Sequence, residues 1–444
     1  MKVIKRVKIK KLTKLFIVVT IFLFVIGFGN QILNKSKNQT QISTIEKNTP
    51  KMFVSEIYDK IKQNYWDNMT DTQLYQLFKL SFDKNGGITT LSFGNQQAVS
   101  FENKDEMLKA FMDTTKNMDE GSKNKFTTSV VETVLASLKP VGRSNLYTQQ
   151  LEQQLKNTVN NVNLQKDLYK DLGLNKSASE AAVTNAFQKK TEELKKDNTP
   201  TSQTQLKEVA YAKDVLTKKD TKARYDQSAI EPTIFTKIIV PGILYLQFKK
   251  FSPSSYDEFI KTFDPYKDAA SLYGLIFDLR GNIGGAIDTT PYFLGNFLGK
   301  NQYAYDFYHR GEYEPFKTPT DKLPSIAKYK QVVILVDNQT QSSAEIMTAS
   351  LKKYHIGVVV GTSTKGWGTV ERVFPIDNQF DKTQKFSIFL VHSITLRDDN
   401  QPIEGKGVEP DINIKSTDWE QQLFAYFRNA ELTNAVKQVL SNHD

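Results

Sequence analysis

The sequence predicts an α/β core, preceded by a mostly helical region and by a single N-terminal transmembrane helix. Three observations carry that prediction. Past Pro232, short apolar runs suited to buried strands alternate with segments of helical spacing, the pattern of an α/β domain. Between residues 51 and 228 apolar side chains recur mainly at three- and four-residue intervals, which is helical periodicity. Near the start, Leu15–Gly29 (LFIVVTIFLFVIGFG) is uncharged and almost wholly apolar. With 444 residues, 39% of them hydrophobic, the chain is long enough for roughly two to four domains with sizeable cores.

Residues 1–30 read as a basic tail and a signal anchor. Lys2, Lys5, Arg6, Lys8, Lys10, Lys11 and Lys14 precede the apolar run with no acid among them. These seven cations account for most of the formal net charge of +10 and leave the body near neutral. No basic footprint for nucleic acid remains there. If Lys14 snorkels, Leu12 and Thr13 bring the run to about 17 residues, the lower edge of a membrane-spanning length. A buried core helix fits poorly, because the run is apolar on every face. A cleaved signal peptide competes through the small pair Gly27 and Gly29, but the run is long for one. A retained anchor is the preferred reading. The positive-inside rule then places residues 1–14 in the cytoplasm and the body outside, a single-pass protein of the cell membrane. Residues 31–50, rich in Asn, Gln, Ser, Thr and Lys, read as a flexible linker.

The helical N-terminal region spans 51–163. Ile57, Ile61 and Tyr65, then Leu74, Leu77 and Phe78, mark two amphipathic helices broken at Trp66-Asp67-Asn68. Gly86-Gly87 and Gly94 punctuate a β-like piece at Ile88–Val99, and helices resume from Lys104 and again near Leu135 and Leu151.

Residues 164–228 carry a more particular pattern. LYKDLGL (Leu168–Leu174), ASEAAVTNAFQKKTEELKKD (Ala178–Asp197) and LKEVAYAKDVLTKKDTKARYD (Leu206–Asp226) follow one another. This resembles a J-domain, the four-helix co-chaperone module, at Tyr169, Leu172, Gly173, Ala186, Phe187, Leu206, Ala212, Val215, Leu216, Tyr225 and Asp226. Where that family places His-Pro-Asp, this chain has Lys195-Lys196-Asp197. The resemblance therefore implies a helical packing or interaction module, not a stimulator of a chaperone ATPase.

Within 233–430 the expected strands are Gly242–Phe248, a strand opening Gly274–Gly285, Val332–Val336, Ile356–Val360, Val370–Phe374 and Phe386–Ile394, with helices at Ser254–Phe263, around Tyr292, Phe293, Phe297 and Leu298, and from Ser342 onward. Residues 431–444 are left as a C-terminal tail. The absence of cysteine excludes disulfides, thiol catalysis and cysteine metal sites. His309, His355, His392 and His443 show no ligand spacing, so neither a metal nor another cofactor is expected. GNIGG (Gly281–Gly285) lacks the lysine of a P-loop and the spacing of a dinucleotide fingerprint. Such a turn instead lets a backbone N–H approach a substrate oxygen. Ser342 and Ser343 sit where a buried strand turns into a helix. A serine there is either an N-cap or a nucleophile whose oxyanion the first amides hold.

Four motifs in order shift that balance: Asp278-Leu279-Arg280-x-Asn282-x-Gly284-Gly285, Ser342-Ser343-Ala344-Glu345, Val359-Val360-Gly361 with Gly366-x-Gly368-Thr369-Val370, and Gly405-Lys406-Gly407-Val408-Glu409-Pro410-Asp411-Ile412. Together they resemble the C-terminal processing peptidases, or tail-specific proteases, over 233–430. The resemblance implies a ClpP/crotonase-like core, Ser342 as nucleophile, the N–H groups of Ser343 and Gly284 as oxyanion hole, and exported polypeptides as substrates laid against a strand edge. The PDZ module usual in that family has no counterpart; the J-like segment occupies its interval. The family's general base, a lysine about twenty-five residues after the serine, falls on Trp367, whose indole cannot accept a proton. The family's supporting glutamine falls on Glu371. Three accounts stay open: Lys365, neutralised by burial, serves as the base; His392 serves, supported by Glu371; or the chain binds polypeptides without cutting them. The expected activity is that of a serine-type peptidase (a hydrolase), with a non-catalytic peptide-binding or scaffold protein as the alternative.

Overall fold

The computed structural model describes residues 48–86, 102–197 and 199–441, all within the compact unit Lys47–Asp444. The expected anchor and basic tail, most of the linker and the β-like piece at 88–99 lie outside the described residues. Among the described residues no helix is long and apolar enough to cross a membrane.

The chain enters through α1 (Pro50–Asn64), whose first turn is capped by the Thr49 hydroxyl accepting from Met52 N at 3.3 Å. After the Trp66 break, α2 (Asp71–Asn85) begins with a reciprocal Thr70–Gln73 capping box. Both caps satisfy amides the helix itself leaves unpaired. Helices α3 (Lys104–Thr115) and α4 (Glu120–Ser137) complete a bundle, and β1 (Asn145–Thr148) and α5 (Gln149–Val159) follow. Leu135 thus closes α4 instead of opening a helix.

Next, α6 (Leu168–Asp171), α7 (Glu180–Leu194), α8 (Pro200–Leu216) and α9 (Lys219–Ser228) gather around a small core of their own. Leu168, Tyr169, Val183, Val209, Val215 and Leu216 fill it, and the Tyr169 hydroxyl donates to Asp226 at 2.7 Å. Arg224 ties the module to the following domain through Glu258, at 2.7 Å.

The remaining elements are β2 (Ile234–Val240), β3 (Ile243–Phe248), α10 (Ser255–Phe263), β4 (Gly274–Asp278), α11 (Thr290–Leu298), β5 (Tyr303–His309), β6 (Glu312–Lys317), α12 (Pro324–Ala327), β7 (Gln331–Val336), α13 (Ser343–Lys353), β8 (Val358–Gly361), β9 (Thr369–Pro375), β10 (Phe386–Leu396), β11 (Ile412–Asn413), α14 (Trp419–Phe427) and α15 (Ala430–Ser441). One sheet runs β11-β8-β7-β4-β3-β2, parallel except for the β2–β3 pair. Strand alternation sorts its side chains onto two faces. Leu244, Leu246, Leu275, Phe277, Val332 and Ile334 pack on the layer that holds α10, α11 and α13. Tyr245, Ile276, Val333, Leu335, Val358 and Val360 pack with α14 and α15. Both faces are therefore covered, which explains strands that are apolar throughout.

The second sheet joins β1, β10, β5 and β6, with β9 also on β10. It binds the N-terminal helices to the α/β core. Phe53 meets Phe380 at 4.7 Å between ring centroids, and the Glu56 carboxylate accepts from the backbone N–H groups of Asp377 and Asn378, each at 2.9 Å. The helical region and the α/β domain share one apolar core instead of standing as separate domains. The C-terminal stretch also differs from expectation: it is helix α15, with Leu432, Ala435, Val436 and Val439 buried against the sheet.

Candidate active site

Two loops at the carboxyl ends of β4 and β7 build the site. Asp337, directly after β7, accepts from Gln339 N, Thr340 N and, across the gap, Gly281 N at 2.9–3.0 Å. Thr340 Oγ1 donates to Leu279 O at 2.9 Å, and Gln341 N donates to Asn282 O at 2.9 Å. Behind the glycine turn, Arg280 forms a two-pronged pair with the fully buried Asp278 at 2.9 and 2.7 Å, and Tyr245 donates to the same carboxylate. A bidentate guanidinium–carboxylate pair fixes direction as well as distance. Asp278 and Arg280 therefore hold the turn.

Ser342 occupies the joint between loop and α13 with φ 57° and ψ −125°. A non-glycine residue there costs about 1–3 kcal/mol and persists only where its surroundings dictate it. The surroundings are Glu345 and Gly284. Glu345, with no exposed surface, accepts at one oxygen from Thr364 Oγ1 (2.5 Å) and Gly366 N (2.7 Å), and at the other from Trp367 N (2.8 Å) and Ser342 N (2.9 Å). Burial raises its pKa above the ordinary glutamate range, against these four bonds. Gly284, at φ 78°, stands so close that a Cβ on it would lie 2.6 Å from Ser342 Cβ and 3.0 Å from Ser343 N.

The sharp strand-to-helix turn presents Ser342 beside the first amides of α13, where N–H groups are unpaired and partly positive. Ser343 N has no acceptor among the described residues. The Gly284 amide, expected as the second donor, instead donates to Asn282 Oδ1 at 2.9 Å. Asn282 itself is locked by a 2.7 Å bond from its Nδ2 to Phe248 O. Gly285 is the glycine of this turn whose amide has no acceptor among the described residues.

The expected proton acceptors are placed elsewhere or differ in character. Lys365 reaches the site through its backbone, N to Thr340 O at 2.9 Å, while its residue is exposed. His392 lies at a bulge of β10. Its Nδ1 pairs with Ser393 Oγ at 2.8 Å, its ring stacks on His309 at 4.3 Å, and desolvation, then Arg372 and His309, push it down to about 4. None of its contacts is with Ser342. Among the described residues no basic side-chain atom lies within hydrogen-bond distance of Ser342 Oγ.

Trp367 takes the position beside Ser342, since one oxygen of Glu345 receives both backbone amides. Its indole Nε1 donates to Glu371 Oε1 at 3.2 Å, and Thr369 Oγ1 donates to the same oxygen at 2.5 Å. Desolvation, against these bonds and the Arg143 charge, pushes Glu371 up to about 7. Arg143 stacks over the indole ring and pairs with Glu404 at 3.1 Å, and Glu404 also accepts from Gly368 N at 2.8 Å. Arg143 and Glu404 lie 261 residues apart and carry no local sequence signal. Among the described residues no group of three or more His, Cys, Asp or Glu could hold a metal ion.

Comparison with known proteins adds three findings. Residues 242–414 match the model of peptidase family S41. A probable CtpA-like serine protease of Staphylococcus epidermidis is 27% identical over 206 residues, 46% of this chain and 39% of that protein. The carboxy-terminal processing protease CtpB of Bacillus subtilis is 27% identical over 209 residues, 46% of this chain and 41% of that protein. The chain thus spans about two fifths of the length of these relatives. Among solved structures, a photosystem II D1 C-terminal processing protease is 13% identical with a TM-score of 0.47, covering 82% of this chain and 92% of that one.

Proposed function

We propose, from the family S41 match of residues 242–414 and the geometry around Ser342, that this protein binds polypeptide chains at a tail-specific-protease-like cleft without hydrolysing them. One observation carries the reading: the position bridged to Ser342 through Glu345 holds an indole stacked under Arg143, not an amine. A serine hydroxyl needs a base to become a nucleophile. Indole nitrogen only donates.

Part of the binding machinery is retained, although the Gly284 amide is engaged by Asn282. Ser343 N, at the head of α13, is placed to hold a carbonyl oxygen, and fixed donors of this kind act without reorganisation. The polypeptide nature of the ligand is supported by the relatives, a probable CtpA-like serine protease and a carboxy-terminal processing protease. A second reading, a serine peptidase using Glu371 as base, is favoured by the position of that carboxyl beside Trp367 and by its pKa near neutrality.

The basic residues 1–14 and the apolar run 15–29 support anchoring at the cell membrane, with the body on the outer side. The four-helix module at 164–228, J-like in sequence but without His-Pro, serves there as an interaction or packing unit.

The test uses the full chain in detergent micelles with an unfolded protein ending in an apolar C-terminus. Binding is expected with no Ser342-dependent cleavage, and Ser342→Ala is expected to bind as the unmutated chain does. Cleavage that disappears in Ser342→Ala and in Glu371→Gln establishes the second reading instead.

A further inference from the structure

Where the helical module meets the α/β core there is a cavity of about 390 Å3. Lys166, Lys249, Lys250 and Glu231 line it together with Gly281 and Ile283. Three lysines and one glutamate thus meet around one space. Lys250 is 9% exposed and has no carboxylate within ion-pair distance among the described residues. A buried cation without a partner is costly, and burial lowers its pKa accordingly. Lys249 stands exposed, its Nζ 5.0 Å from the Tyr211 ring centroid and 4.7 Å from that of Phe235. Lys166 pairs only loosely, 3.8 Å from Asp171 and 3.9 Å from Glu208.

Glu231 adds a second requirement. It is 9% exposed; the Tyr211 hydroxyl donates to Oε2, while Oε1 has no partner among the described residues. The pocket thus asks for an anion and, beside it, an N–H donor. A free phosphate offers charge and an O–H but no N–H. The last residue of a polypeptide offers both, a terminal carboxylate and its own amide.

Position points the same way. Gly281 and Ile283 belong to the turn whose Gly284 abuts Ser342. Three residues of chain span at most about 11 Å, so the pocket wall lies within a few extended residues of the serine. We propose that this pocket receives the C-terminal carboxylate of a bound polypeptide, with Lys249 and Lys250 pairing the carboxylate and Glu231 Oε1 accepting the terminal N–H. The assignment rests on the reading that the Ser342 cleft takes polypeptides, and it gives this chain a tail-recognition device within the body of the fold.

The experiment measures binding of a fluorescent peptide with an apolar end to the full chain in micelles, as the free acid and as the C-terminal amide. The acid is expected to bind at least about tenfold more tightly, the size of one charge-assisted contact. Lys250→Met should erase that preference and leave amide binding unchanged, while Lys250→Arg should keep it. Should Lys250→Met melt early by circular dichroism, Lys249→Met carries the same comparison with a smaller expected loss. Equal binding of acid and amide overturns the carboxylate assignment and leaves the polypeptide reading standing. Binding of neither peptide overturns both. Displacement of the acid by micromolar inorganic phosphate marks a site for free anions and overturns the assignment.

Discussion

The guanidinium carbon of Arg143 lies over the Trp367 ring, 3.4 Å from its centroid, at the position bridged to Ser342 by Glu345. The arrangement is held from both sides. Glu404 grips Arg143 and the Gly368 amide, and Glu371 accepts from the indole N–H. Replacing Arg143 by alanine removes a cation–π contact of about 0.5–2 kcal/mol and leaves Glu404, which is mostly buried, without its partner. Urea unfolding of Arg143→Ala should show a loss of about 2 kcal/mol. An unchanged midpoint would mean the stack contributes nothing.

Glu345 is the common anchor of Ser342 and the 364–367 loop. Glu345→Gln keeps the shape but turns an –NH2 toward backbone donors, so at least one buried amide loses its acceptor. A destabilisation of about 3 kcal/mol is expected, with peptide binding weakened beyond what partial unfolding explains. Binding that survives intact would show that the Ser342 turn holds itself.

Gly284→Ala tests the close approach of the two loops. The residue sits at φ 78°, and a Cβ would come within 2.6 Å of Ser342 Cβ and 2.8 Å of Gln341 O. The left-handed backbone alone costs a non-glycine residue about 1–2 kcal/mol. Loss of peptide binding together with a lowered melting temperature is the expected result. A variant that melts and binds like the parent would contradict the packing described.

Glu371 gives a pH signature. Its folded pKa of about 7 lies above the unfolded value near 4.5. The unfolded chain therefore ionises first as pH rises. The stability linked to this group is fully present below pH 4.5 and is lost between about 4.5 and 7, of order 3 kcal/mol. His392, pushed down to about 4, acts in the opposite direction: its neutral folded form loses stability as pH falls below the ordinary histidine range. The comparison is thus made between the parent and Glu371→Gln, which cancels the histidine. The melting temperature of the variant should gain on that of the parent from pH 5 to pH 8. Parallel curves would place Glu371 in water.

Much of the α/β core was legible because its strands are covered on both faces. Runs such as Val332–Val336 then stay apolar without alternation, and each is closed by a polar turn. The Ser342 turn was legible as a strand, a loop and a helix start. Its strained backbone was not, because no local residue preference announces φ 57° at a serine; Glu345 and Gly284 impose it. The β5–β6 hairpin was missed, since β6 (EYEPFK) is mostly exposed and lacks an apolar face. Helix α15 carried a readable pattern in Leu432, Ala435, Val436 and Val439, and its place at the chain end hid it. The sharing of one core between the N-terminal helices and β10 depends on pairs such as Leu146 with Ile388, and the Arg143–Trp367 stack is equally non-local. Contacts of that sequence separation leave no periodicity to read.

In the proposed binding role, Ser342 has no base within hydrogen-bond distance among the described residues, while the Ser343 amide holds a peptide carbonyl. Cleavage of an unfolded protein with an apolar C-terminus, followed from pH 5 to 9 with the parent chain and with Trp367→Lys, tests it directly. The introduced amine would lie between Arg143, whose charge lowers its pKa, and Glu371, whose carboxylate raises it. No cleavage is expected from the parent, and Trp367→Lys is expected to cleave in a manner that Ser342→Ala abolishes. Cleavage by the parent that Ser342→Ala abolishes would contradict it.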